Sequence, residues 1–163
     1  FEFSAGKVAN WYTCAIDGHK CRNWTVRNCV VKNIVNPGGA MTEPAIHFWN
    51  GSTGMVIEGC TVLNSERGIY IGMGTGNLNP GCIIRNNFIE TVRDVGIGIE
   101  NAPDTIIDNN TCYTLNNYPN SIEYRWPATT GVQITNNKTT GAIVSRDGAT
   151  ASVISGNTRI DTE

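Results

Sequence analysis

Four short segments alternate apolar and polar residues in a way that could do chemistry. They are Ile46-His47-Phe48, Ile69-Tyr70-Ile71, Ile97-Gly98-Ile99 and Ile122-Glu123-Tyr124. A half-buried strand turns alternate side chains to opposite faces, so His47, Tyr70, Gly98 and Glu123 share the outer one. Two residues further on stand Trp49, Gly72, Glu100 and Arg125. Laid side by side, these segments would gather an imidazole, a phenol, carboxylates, a guanidinium and an indole on one surface. His47 and Tyr70 are suited to act as general base or acid. Arg125 would neutralise a substrate carboxylate. Glu100 and Glu123 would hold Ca²⁺, which takes oxygen ligands, or form the carboxylate pair of a glycoside hydrolase, about 7–8 Å apart at Cβ. Trp49 and Tyr70 offer flat surfaces on which a sugar could stack, and Gly72 and Gly98 would leave a shallow depression between them. The expected catalytic set is therefore His47, Tyr70, Glu123 and Arg125, with Glu100 and Glu123 as the metal site and Trp49 and Tyr70 as substrate contacts. A plainer reading stands beside it: Glu100 and Arg125 are direct neighbours and would pair, and His47 and Tyr70 would simply stack.

The elements that must position these residues repeat. A second segment recurs as Val26-Arg27-Asn28-Cys29, Ile57-Glu58-Gly59-Cys60, Ile84-Arg85-Asn86-Asn87, Ile107-Asp108-Asn109-Asn110, Ile134-Thr135-Asn136-Asn137 and Ile154-Ser155-Gly156-Asn157. The spacings are 31, 27, 23, 27 and 20 residues. The two kinds of segment alternate, which reads as one strand each per unit. No unit can bury its apolar side alone, and stacking the units buries a continuous column. Gly occurs 18 times and Asn 20 times, both being residues that tolerate positive φ in turns. No long stretch shows a helical period. These features predict an all-β, right-handed parallel β-helix of about six rungs, forming one domain over residues 1–163. Adjacent rungs lie about 4.8 Å apart, so like residues stack on like. Asn87, Asn110, Asn137 and Asn157 would form an amide ladder, continued by Cys29 and Cys60 as stacked thiols or a disulfide. Arg27, Glu58, Arg85 and Asp108 would form a ladder of alternating charge. Trp11, Tyr12 and Trp24 would cover the open N-terminal end.

The repeat IxxNxI followed by GIxI resembles the parallel β-helix repeat of the pectate-lyase-like superfamily, with Cys21–Asn28 and Gly68-Ile69-Tyr70-Ile71-Gly72 as local instances. The resemblance covers roughly residues 12–160. It implies an extracellular or cell-surface domain that meets polysaccharide, as a lyase or glycoside hydrolase, or alternatively a noncatalytic structural or adhesive module. The chain departs from the enzyme families of this fold. The adjacent aspartates and RxK of polygalacturonase-like hydrolases are missing, as are the arginine-rich strand and aspartate cluster of pectate lyases.

Composition excludes other classes. Charged residues make up 16% and the net charge is −2, so no basic block suggests nucleic acid. No run of 18 apolar residues suggests a membrane span. The six cysteines show no CxxC spacing, which argues against zinc and for buried thiols. Arg93-Asp94 and Arg146-Asp147 read as turn charges. The chain begins without Met, which reads as a fragment of a longer or processed chain, and uncovered rung ends would favour end-to-end self-association.

Overall fold

The structure, a computed structural model, describes residues 2–4, 12–74, 76–116 and 118–161. Trp11 therefore lies outside the described residues. Strand β1 (Glu2–Ser4) precedes six rungs of three strands each. The first rung is β2 (Ile16–His19), β3 (Thr25–Arg27) and β4 (Val30–Lys32). The second is β5 (Ile46–Trp49), β6 (Val56–Glu58) and β7 (Thr61–Ser65), and the third β8 (Ile69–Ile71), β9 (Ile83–Arg85) and β10 (Phe88–Thr91). The fourth is β11 (Ile97–Glu100), β12 (Ile106–Asp108) and β13 (Thr111–Thr114). The fifth is β14 (Asn120–Arg125), β15 (Val132–Thr135) and β16 (Lys138–Thr139), and the sixth β17 (Ala142–Arg146), β18 (Ala151–Ser155) and β19 (Thr158–Arg159). No helix occurs among the described residues.

Strands at equivalent places in successive rungs pair in parallel and form three sheets. The first sheet runs from β2 to β17, the second from β3 to β18, and the third from β1 to β19. The rung therefore holds three strands where the repeat pattern suggested two. The segment read as one strand is divided by a two-residue turn whose first member has positive φ in every rung: Asn28, Gly59, Asn86, Asn109, Asn136 and Gly156. Further columns of positive φ at Asn50 and Asn101, and at Asn23 and Asp104, mark other corners. The excess of Asn follows from this, since it adopts the left-handed region more readily than other side chains and bonds local backbone there.

The inward columns form one core. Ile46, Ile69, Ile97 and Ile122 stack in the first sheet, Ile57, Ile84, Ile107 and Ile134 in the second, and Val31, Val62, Ile89 and Cys112 in the third, all fully buried. The amide ladder stands beside them. Asn87 donates through its backbone N–H and its Nδ2 to Asn110 Oδ1 at 3.1 and 2.9 Å. Asn110 does the same to Asn137, and Asn137 to Asn157. Each Nδ2 also donates back to an isoleucine carbonyl, as Asn110 does to Ile84 at 2.9 Å. Cys60 joins by donating its N–H to Asn87 Oδ1. All six cysteines are free thiols. The expected charge ladder is present too: Glu58 bridges Arg27 at 3.8 Å and Arg85 at 2.7 Å. Such exposed pairs contribute only about 0–1 kcal/mol each.

Candidate functional site

The outer face of the first sheet carries the residues singled out above. Register places Asp17, His47, Tyr70, Gly98, Glu123 and Val144 in one row. Glu100, Arg125 and Arg146 are neighbours in the next, and His19 lies beside Trp49. The two rows match the spacing argument. Their surroundings differ from it.

His47 is 1% exposed. Its Nε2 faces the Gly72 carbonyl at 3.0 Å, and since a carbonyl only accepts, Nε2 is the donor. Its Nδ1 lies 3.2 Å from Glu43 Oε2, within ion-pair reach but off the direction of a hydrogen bond. The ring is stacked on Trp49, with centroids 5.5 Å apart and planes at 6°, and meets Tyr70 edge-on at 6.4 Å. Trp49 in turn donates its indole N–H to Asp17 at 3.0 Å. The loop that supplies Glu43 is tied down by Glu66, whose carboxylate accepts the N–H groups of Asn36 and Thr42.

The depression expected at Gly98 is filled. The Tyr70 ring lies where a Cβ on Gly98 would be. Burial, followed by the charge of Asp94, raises the Tyr70 phenol well above its ordinary value. Gly72 is not an open floor either: it is buried, and a Cβ there would overlap the Glu100 carbonyl oxygen.

The charges are matched in pairs. Glu100 lies 3.6 Å from Arg125 and accepts hydrogen bonds from the Gly74 N–H and from Trp126 Nε1. Arg125 also bonds Asp147 at 2.8 Å. Glu123, 3% exposed, accepts from Tyr118 at 2.5 Å, from Asn120 at 2.7 Å and from Arg146 at 3.2 Å. Desolvation, helped by that bond to Glu123, pushes the Tyr118 phenol up to about 12. Both carboxylates are thus ringed by N–H and O–H donors, the wrong polarity for cation ligands. No group of three or more His, Cys, Asp or Glu suited to a metal occurs among the described residues. This donor set does not fit calcium.

Reasoning from the sequence missed Glu43 and Tyr118, which sit in loops of variable length with no counterpart in other units. Asp147 lies in a turn as expected, whereas Arg146, expected there too, is the last residue of β17. Arg146 follows Val144 by two residues, as Arg125 follows Glu123, and that spacing was the available signal.

Three parallel sheets wound in successive rungs, with an asparagine ladder at one corner, define a parallel β-helix. The chain belongs to the family described as right handed beta helix region, which matches residues 14–162. No curated protein and no solved structure matches the chain.

Proposed function

We propose that this β-helix is a noncatalytic, adhesive module that contacts carbohydrate. The observation that carries the noncatalytic part is the use made of the outer row of the first sheet. His47 and Glu100 both fasten the segment after β8, at Gly72 and Gly74. Glu123 and Arg125 are each held by charged partners. A general base must reach the proton it abstracts, and His47 and Glu123 are sealed from any polymer. Support for carbohydrate lies in rings that stand beside planar polar groups on a rigid stack, such as Trp49 with Asp17 and His19.

A lyase reading keeps one specific observation. Tyr118 and Arg146 are both solvent-accessible and 3.1 Å apart, a phenol beside a guanidinium. A phenol serving as base must lose its proton readily, and here Glu123 holds that proton in place. The arrangement suits a fastening more than a base.

Affinity electrophoresis through gels containing neutral or uronate polysaccharides tests the carbohydrate part. Retardation by at least one polymer is expected. Mobility unchanged in all of them would overturn it.

A further inference from the structure

A groove lies along the outer side of the third sheet. It has a volume of about 650 Å³ and is lined by Phe88, Glu90, Tyr113, Leu115, Ile160 and their neighbours Arg159 and Asp161. Phe88 and Glu90 stand on β10, and Glu90 is in register with Tyr113 on β13. The Phe88 and Tyr113 rings lie 5.6 Å apart and tilted by 41°, forming an aromatic shelf. Two large apolar side chains on it face water: Phe88 is 40% and Leu115 49% exposed.

Planar polar groups rim the shelf. Glu90 accepts one backbone N–H, from Asn64 at 3.3 Å, through Oε1, and its other oxygen stays available. Arg159 and Asp161 close the far end and also border a second hollow of about 280 Å³, lined by Thr114, Asn116 and Thr140 among others. Asn116 borders that hollow with other atoms, its Nδ2 being shut away from solvent. The two hollows share Arg159, Ile160 and Asp161 and adjoin there, as the two parts of one trough.

We infer that this trough is a binding site for a neutral oligosaccharide, with one sugar stacked on Phe88 and Tyr113 and the next lying beside Arg159 and Asp161. The charge balance selects the class. The trough sets two carboxylates, Glu90 and Asp161, against one guanidinium, Arg159, which disfavours a uronate or sulfated chain. Carboxylate and guanidinium groups are the planar partners that adjacent hydroxyls can bond two at a time. The aromatic pair takes the apolar face of a pyranose ring. The inference rests on the carbohydrate reading above and moves its contact from the first sheet to the third.

The test is titration calorimetry of the full chain with neutral gluco-, xylo-, manno- and galacto-oligosaccharides, with oligogalacturonate as the acidic comparator. At least one neutral series is expected to bind more tightly than the uronate. Phe88→Ala and Tyr113→Ala are each expected to weaken it about tenfold or more, and Glu90→Gln several-fold. Leu78→Ala, outside the trough, is expected to leave it unchanged. Amide chemical-shift changes in the unmodified chain would map the site without relying on any variant's folding, and are expected at residues 88, 90, 113, 115 and 160. Binding that survives both aromatic variants but falls with Trp49→Ala would overturn the third-sheet site and leave the carbohydrate reading standing. Preference for the uronate, or no binding of any neutral oligosaccharide, would overturn the inference itself.

Discussion

Replacing Asn110 by leucine is expected to destabilise the protein by about 3–5 kcal/mol, although leucine is apolar and of similar size. Asn110 lies in the middle of the amide ladder and is 1% exposed. Its Oδ1 accepts both the backbone N–H and the Nδ2 of Asn87, and its Nδ2 donates to Ile84 O and to Asn137 Oδ1. Leucine would leave two donors of Asn87 buried and without partners. Because each rung touches only its neighbours, the damage is local to the fourth rung, and the two halves of the stack are expected to unfold less cooperatively. Urea unfolding followed by circular dichroism measures both effects. Asn109→Gly is the control. Asn109 is exposed, has φ of 52° and makes one side-chain bond, to Asn86. Glycine adopts that φ freely, so a loss under about 1 kcal/mol is expected. Equal losses at positions 109 and 110 would mean that the inner ladder has no special weight.

Gly72→Ala is expected to be at least as severe, at about 4 kcal/mol or more, or to prevent folding. Gly72 has φ of 83°, where a side chain is strained by about 1–2 kcal/mol. A Cβ there would also run into the Glu100 carbonyl oxygen, which belongs to the backbone and cannot rotate away. Relief would require the segment after β8 to lift, breaking the bond from His47 to Gly72 O and the one from Gly74 to Glu100. Thermal unfolding reports the loss, and the His47 ring resonances report the released contact. A variant within about 1 kcal/mol of the parent would show that this segment does not pack against β11 as described.

The repeat was legible in the sequence because it is made of stacked likeness. Ile57, Ile84, Ile107 and Ile134 recur at similar spacings, and Cys60, Asn87, Asn110 and Asn137 follow them in turn by the same offset. The ladder, the charge column at Arg27, Glu58 and Arg85, and the register of His47 on Tyr70 follow from that likeness. The third strand of each rung was not legible. Only two residues, such as Asn28 and Cys29, separate β3 from β4, so the pattern reads as one segment. The surroundings of the outer row were not legible either, for a different reason. Whether His47 faces water depends on Glu43 and Gly72, and whether Glu123 is available depends on Tyr118 and Arg146. These contacts come from loops that differ from rung to rung, and a periodic argument has no hold on them. Gly98 shows how the same residue supports two readings: a missing side chain leaves a hollow only if no neighbour lies across it, and Tyr70 does.

The role proposed for the outer row of the first sheet is that of a fastening rather than a site of chemistry. The most direct measurement is product formation from a panel of uronate and neutral polysaccharides, with and without Ca²⁺, read as unsaturated ends by ultraviolet absorbance and as new reducing ends. No product is expected from any polymer, while His47→Ala and Glu123→Gln are expected to lower the unfolding temperature. Product formed by the parent chain and abolished by Tyr118→Phe, Tyr70→Phe or Glu123→Gln in a variant that still folds would contradict that role.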